Sequence, residues 1–335
     1  MRHANIAVFV PHAGCPHTCS FCNQKTISGC SAQPTAADVT QTIENALSYL
    51  GNRAKDAEIA FFGGSFTAID RQYMISLLEA AKPYIDSGRL YGIRCSTRPD
   101  CIDEEVLELL KSYSVTSIEL GAQSMSDRVL RLNERGHRAQ DVVKAAQLVR
   151  QYGFELGLQM MTGLYGDDDE GAVYTAQEIA KLGPDTVRIY PTVVLRGTKL
   201  AELYVNGEYR PQPLEGAVGI CAALLRFFYE RGIDVIKLGL HAEDGVERDY
   251  LAGAYHPALR ELAEGRIYLD EAERQIKEKG ISGRITVLCP KGEISKVVGQ
   301  HRCNILRLSQ LGCDAKVSAR EGIGKYSLEI ISEQK

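Results

Sequence analysis

Residues 4–22 read ANIAVFVPHAGCPHTCSFC. An apolar, strand-like run, Ala4 to Val10, enters a loop of Pro, Gly and His that carries Cys15, Cys19 and Cys22 in the spacing C-x3-C-x2-C. Three thiolates on one short loop can converge on one metal centre. A [4Fe–4S] cluster is usually held by a thiolate on each of its irons. A loop that offers three leaves one iron open, and an open position separates catalytic metals from structural ones. The alternative is a zinc knuckle of Cys15, Cys19 and Cys22 with His17 or Cys30. Zinc fingers pair two ligand sets roughly a dozen or more residues apart, and no second pair follows here.

The chain has 335 residues, enough for one large α/β domain and a small one. Its hydrophobic (44%) and charged (24%) fractions are those of a globular protein. It has no long apolar run of membrane-spanning length and no signal-peptide pattern at its start. With ten cysteines in a chain of this size, reduced thiols and metal are expected, in a reducing cytoplasm. A net charge of −4 argues against a surface that binds nucleic acid throughout.

Short apolar runs alternate with helical periodicity. Strands are expected at Asn5–Val10, Ala57–Phe62, Tyr91–Cys95, Ser117–Leu120, Glu155–Met161 and Thr186–Tyr190. Helices are expected at Ala36–Leu50, Arg71–Ile85, Glu104–Tyr113, Ala139–Tyr152 and Glu170–Leu182. Thr35 and Asp103 read as helix caps. Six β-α units imply a parallel sheet with helices outside. A further helix, Leu214–Arg231, and strand, Asp234–Leu238, follow; residues 253–268 read as irregular. Asp167–Asp169 read as a solvated helix start, and His241 with Glu243 as a turn.

Polar motifs sit at the strand ends: Gly63-Gly64-Ser65-Phe66-Thr67, Ser96-Thr97-Arg98-Pro99-Asp100, Glu119-Leu120-Gly121-Ala122-Gln123-Ser124, Arg135-Gly136-His137, Gln159 with Gly163, and Arg188-Ile189-Tyr190. Charged and amide side chains in buried strands are costly unless used. With the cysteine loop, these stretches resemble the radical S-adenosylmethionine (SAM) superfamily. Over roughly residues 5–250 they resemble the radical SAM domain of the Elongator catalytic subunit and its bacterial relatives.

That resemblance implies an α/β fold, a partial (β/α)6 radical SAM barrel. It implies a [4Fe–4S] cluster on the catalytic cysteines Cys15, Cys19 and Cys22, whose open iron chelates SAM, and cleavage of SAM to a 5′-deoxyadenosyl radical. Phe21 is the aromatic residue expected beside the cluster. Gly63, Gly64 and Ser65 would meet the SAM amino group, and Ser96 and Arg98 its ribose or carboxylate. Glu119, Gln123 and Gln159 would meet the ribose or substrate, and Arg188 and Tyr190 would face the barrel mouth. A reducing partner such as flavodoxin or ferredoxin is implied, and a base in tRNA or rRNA as substrate. The Elongator subunit has a longer first cysteine gap and an acetyl-CoA-binding domain after the barrel, so acetyl transfer in its manner is expected only with a partner.

Residues 283–335 read strand, helix, loop, helix, strand, strand. The loop Gly299-Gln300-His301-Arg302 resembles the GxxG clamp of a KH domain, in which two helices hold a nucleic-acid backbone; its last glycine is Arg302. This segment carries nine Lys/Arg and five Asp/Glu, +4 against −8 elsewhere. The expected RNA contacts are Lys296, Gly299, Gln300, His301 and Arg302. The division expected is a barrel over 1–202, its extension over 203–270 and a small α+β KH-like domain over 271–335. Methylthiolation is disfavoured, since Cys30, Cys95, Cys101, Cys221, Cys289, Cys303 and Cys313 form no CxxC pair for a second cluster. The competing functions are a radical SAM enzyme for a small molecule or protein, and a non-catalytic RNA-binding metalloprotein.

Overall fold

The computed structural model describes residues 4–11, 15, 18–23, 26–27, 32–240 and 244–332. His17, Cys30, His241 and Glu243 lie outside the described residues.

Seven strands form one parallel sheet in the order β1 (Ala4–Val10), β2 (Ala57–Gly63), β3 (Gly92–Thr97), β4 (Val115–Gln123), β5 (Glu155–Thr162), β6 (Thr186–Pro191) and β8 (Asp234–Leu238). It is the curled sheet of a partial barrel. The run expected at Asp234–Leu238 is its seventh strand, paired with β6. Helices connect successive strands, as parallel crossovers require. The strands read as near-continuous buried runs because both faces of such a sheet are covered; all six residues of β3 are buried. β7 (Val193–Leu195) and β9 (Tyr250–Gly253) make a small antiparallel pair.

The helices follow their caps. Thr35 and Asp38 form a capping box at the start of Ala36–Leu50, whose Val39 and Ile43 are buried. Asp103 accepts from Val106 N at the start of Glu104–Ser112. Of the acidic run, only Asp168 caps the helix, through Gly171 N at 2.8 Å. Asp167 corrects the solvated reading. Its Oδ2 is buried without a partner, and burial pushes its carboxyl up to about 6.

By packing, the chain divides into residues 1–212 with 233–254, and residues 213–232 with 255–335. The second unit has a three-stranded sheet of β10 (Gly283–Cys289), β11 (Cys313–Ala319) and β12 (Glu329–Ser332) in the order β11-β10-β12. Helices Ile294–Val298 and Cys303–Gln310 lie between β10 and β11 in sequence. This is the strand, helix, helix, strand, strand order expected.

The irregular reading of 253–268 is corrected. Leu259–Lys279 is one helix of 21 residues. Pro257 lies before it, and Gly265 is in its interior for a packing reason. A Cβ there would stand 3.1 Å from Lys296 O, so the missing side chain lets the next helix approach. Helix Leu214–Tyr229 packs against it through Arg226 and Glu271, 3.6 Å apart.

Gly63 closes β2 at φ +111°, and a Cβ there would meet Val10 O at 2.6 Å. Gly63→Ala is expected to cost about 1–3 kcal/mol in urea unfolding; an unchanged midpoint would contradict the close approach.

Candidate functional site

The cysteine loop is pinned from three sides. Arg135 donates Nη1 to Cys19 Sγ at 3.1 Å and Nη2 to Gly121 O at 2.6 Å, joining loop to β4. Ser20 donates its N–H to Asn133 O and its Oγ to Asn133 Oδ1. Leu200 N donates to Ser20 O at 2.7 Å. Cys22 N closes a turn onto Cys19 O. Cys19 is buried, Cys22 half-buried and Cys15 exposed. The protein atoms crowding its sulfur, then the charge of Cys19, push the Cys15 thiol up although the residue is exposed, and Arg98 and Arg135 pull it back. Asn133 escaped the sequence reading: a lone Asn after a short helix carries no pattern.

The Gly-Gly turn holds Gly64 N on Val10 O at 3.2 Å. Ser65 is fully buried and its hydroxyl is committed to Thr97 Oγ1 (2.8 Å) and to Arg98 N (3.2 Å). Thr67 Oγ1 continues the chain to Thr97 Oγ1 and Cys101 O. Ser96 and Thr97 belong to β3 itself rather than to the loop after it. Arg98 pairs with Asp100 through two bonds, 2.9 and 2.7 Å, and its Nη1 is buried without a partner.

Inside the sheet lies a ladder of charges. Arg94 donates Nε to Glu58 (2.7 Å) and faces Glu119 (3.4 Å) and Glu155 (3.3 Å). Glu58 also accepts from Thr116 and Ser117. Glu119 faces Arg188 Nε at 2.7 Å and accepts from its Nη2 at 2.8 Å and from Gln159 Nε2 at 2.8 Å. Burial opposes the Glu119 charge, but Arg188, Arg94 and Gln159 outweigh it and hold its carboxyl below the ordinary range. The carboxylate is thus fully engaged by protein groups. The sequence reading missed Glu58 and Arg94; their signal was a charge inside each of two buried strands.

A cleft of about 240 Å³ is lined by Phe21, Cys22, Gly63, Ser96, Gln123, Gln159, Arg188 and Tyr190 among others. Eight of the expected residues therefore come together, and Cys15, Cys19, Gly64, Ser65, Arg98 and Glu119 are not part of its wall. Arg188 stacks over Phe62, 4.8 Å from the ring centre. Gln123 ends β4 at φ +64°, where the β4–β5 register shifts, and its Oε1 is buried without a partner. Such a bulge re-aims a side chain. A strained residue with an orphan acceptor in a cleft is a candidate ligand contact.

A family model described as the radical SAM superfamily matches residues 9–179, and one described as the radical SAM C-terminal domain matches residues 184–269. The chain belongs to the radical SAM superfamily. It is 31% identical over 210 residues to an uncharacterized protein of Methanocaldococcus jannaschii, covering 59% of this chain and 63% of the relative. It is 32% identical over 195 residues to the tRNA uridine(34) acetyltransferase of the same organism, covering 52% and 36%. Elongator complex protein 3 of Homo sapiens is 30% identical over 202 residues, covering 53% and 36%. The chain thus spans between a third and two-thirds of these relatives. In fold it is similar to the archaeal Elp3 of Methanocaldococcus infernus, solved with its N-terminus deleted (TM-score 0.62, 22% identity, 83% of this chain and 63% of that one).

Membership implies SAM and a [4Fe–4S] cluster. The residues present fit both. Three thiols stand on a pinned loop, guanidiniums lie beside Cys15 and Cys19, and the buried polar atoms Gln123 Oε1 and Arg98 Nη1 lack partners. Among the described residues, no three His, Cys, Asp or Glu side chains form a site for a single metal ion. A four-iron cube spaces its thiolates further apart than one ion does.

Arg94→Met leaves Glu58 buried without its cation. It is expected to cost about 3–5 kcal/mol, read as a lowered urea midpoint; a midpoint within error of the parent would contradict the ladder. His137 carries a pH prediction. Burial, then Arg135, pushes it down to about 4 from 6.5. Its Nε2 stands 3.3 Å from Ala122 O, so the neutral ring donates there. The unfolded chain takes up this proton first, so stability falls as pH drops from 6.5 to 4. The slope is at most about 1.4 kcal/mol per pH unit for one proton. His137→Gln is expected to flatten that acid limb; an identical limb would contradict it.

Proposed function

We propose that this protein is a radical SAM enzyme that modifies a uridine of transfer RNA. The observation that carries this reading is the pinned cysteine loop opening on the cleft: Cys22 and Phe21 share its wall with Gln123, Gln159 and Arg188. When bound, the cluster and SAM supply a 5′-deoxyadenosyl radical. The chain's own residues do the rest. Gln123 and Gln159 supply hydrogen-bonding amides, Arg188 a cation held by Glu119, and Phe21, Phe62 and Tyr190 the ring surfaces that exclude water. The substrate base must leave its stack to be reached.

The tRNA assignment rests on the relatives named as tRNA uridine(34) acetyltransferases and on the C-terminal module. Gln300, His301 and Arg302 are exposed on the loop between its two short helices. His301 and Arg302 take φ +51° and +61°, and Arg302 makes no ion pair among the described residues. Asn304 is buried and its Nδ2 donates to Gly265 O, Lys296 O and Val297 O, fixing the loop's base. Lys296 departs from the expected phosphate contacts. Its ammonium is held by Glu264 at 2.7 Å and Glu293 at 2.9 Å. A KH-like grip on the phosphate backbone then falls to Gln300, His301 and Arg302. Such contacts position the RNA without specifying sequence.

Nucleosides of tRNA from cells with and without the gene are to be compared by mass spectrometry. One modified uridine is expected to be missing without it; identical tRNA nucleosides would overturn the assignment. In filter binding, Arg302→Glu is expected to weaken tRNA several-fold. The slope of log affinity against log salt is expected to fall by about 0.7–0.9 for each phosphate the variant no longer neutralises. Cys19→Ala is expected to bind as the parent does. Binding unchanged by Arg302→Glu would remove the loop from the interface.

A further inference from the structure

A second concavity, of about 860 Å³, lies beside the cysteine loop and takes no part in the chemistry described above. Thr18 lines it with Asp127, Arg131, Glu134, His137 and Arg138. No residue of its wall also lines the cleft. The loop itself serves both, for Phe21 and Cys22 line the cleft while Thr18 lines the concavity. Gly136 belongs to the same wall and is one peptide bond from Arg135, which donates to Cys19 Sγ at 3.1 Å. The concavity therefore reaches the cysteine loop by a route that leaves the cleft free.

Its charges supply the second observation. Arg131 and Arg138 are exposed, and neither makes an ion pair among the described residues. The acids of the same wall are engaged. Asp127 Oδ1 accepts from Ala139 N at 2.8 Å, and Glu134 pairs with Lys199. His137 is buried and, pushed down to about 4, adds no charge near neutrality. With Lys199, three cations stand here against two carboxylates, and both guanidiniums are left to meet a partner. The chain carries −8 outside its C-terminal segment. An acidic partner is repelled by such a surface as a whole and steered to the one spot where the sign reverses.

Splitting the sulfonium carbon–sulfur bond of SAM into methionine and a carbon radical takes one electron. That electron must reach the cysteine loop while SAM and substrate fill the cleft. We propose that the concavity of Thr18, Arg131 and Arg138 is the docking site of an acidic one-electron carrier protein. The carrier is oxidised by one electron and the cluster reduced by one, and no group is transferred. Electron-transfer encounters bury little surface, and charge sets their rate and salt dependence. A polar concavity with two uncommitted guanidiniums suits that contact. This inference rests on the radical SAM reading.

The probe is a flavodoxin, an acidic flavin carrier, and the variant combines Arg131→Glu with Arg138→Glu in the full chain, reconstituted anaerobically. Binding of oxidised flavodoxin to a sensor surface bearing the protein reads the contact without turnover. The parent is expected to bind, more weakly as salt rises, and the variant to bind about tenfold more weakly or less still. Dithionite needs no docking, so with it parent and variant are expected to make 5′-deoxyadenosine at the same rate. With reduced flavodoxin below saturation, the variant is expected to be about tenfold slower. Flavodoxin binding or a flavodoxin-driven rate equal to the parent's would overturn the proposal, and tRNA filter binding weakened by the same variant would then give the concavity to RNA. Parent protein that makes no 5′-deoxyadenosine even with dithionite would remove this inference together with the reading beneath it.

Discussion

Arg94 carries its guanidinium into the interior of a parallel sheet and meets Glu58, Glu119 and Glu155 there. Taking such charges out of water costs several kcal/mol per ion unless geometry and further hydrogen bonds repay it. Here Thr116 and Ser117 fill the rest of Glu58, and Arg188 and Gln159 fill Glu119. The ladder draws on β2, β3, β4, β5 and β6. A slip of one residue in any of these strands would turn its polar group to the other face and strand a buried charge. The register of the sheet is therefore tied to this network as firmly as to its apolar packing.

The same network sets the cleft. Glu119 holds Arg188 and Gln159 in place, and both line the cavity. Arg188 is steadied further by the Phe62 ring. Arg135 ties Cys19 to Gly121 of β4, so loop and strand are held together. Polar groups at the C-terminal ends of parallel strands are where such folds place their chemistry. The interior charges supply the rigidity that this placement needs, since a side chain locked by buried partners loses little freedom on meeting a ligand.

Much of this was legible in the residues. The cysteine spacing, the alternation of apolar runs with helical periodicity, and the caps Thr35 and Asp103 each have a local physical cause, and each stands where it was expected. The cleft residues Gln123 and Gln159 were visible because amides in buried strands need a use. What was hidden is non-local. Leu259–Lys279 was lost because Gly265 and Pro257 read as breakers, whereas the glycine makes room for the helix that carries Lys296. Lys296 and Arg302 look alike as basic residues. Only the fold shows one held by Glu264 and Glu293 and the other exposed. Ser65 reads as a ligand contact until Thr97 and Arg98 are seen to claim its hydroxyl.

The claim at the centre is that the pinned loop of Cys15, Cys19 and Cys22 holds a reducible cluster that acts on SAM. The most direct measurement is 5′-deoxyadenosine produced by anaerobically reconstituted protein given SAM and dithionite. The account predicts that it accumulates with the parent protein and is absent with Cys19→Ala. Protein that binds a four-iron cluster yet yields no 5′-deoxyadenosine, or a Cys19→Ala variant that yields as much as the parent, would contradict it.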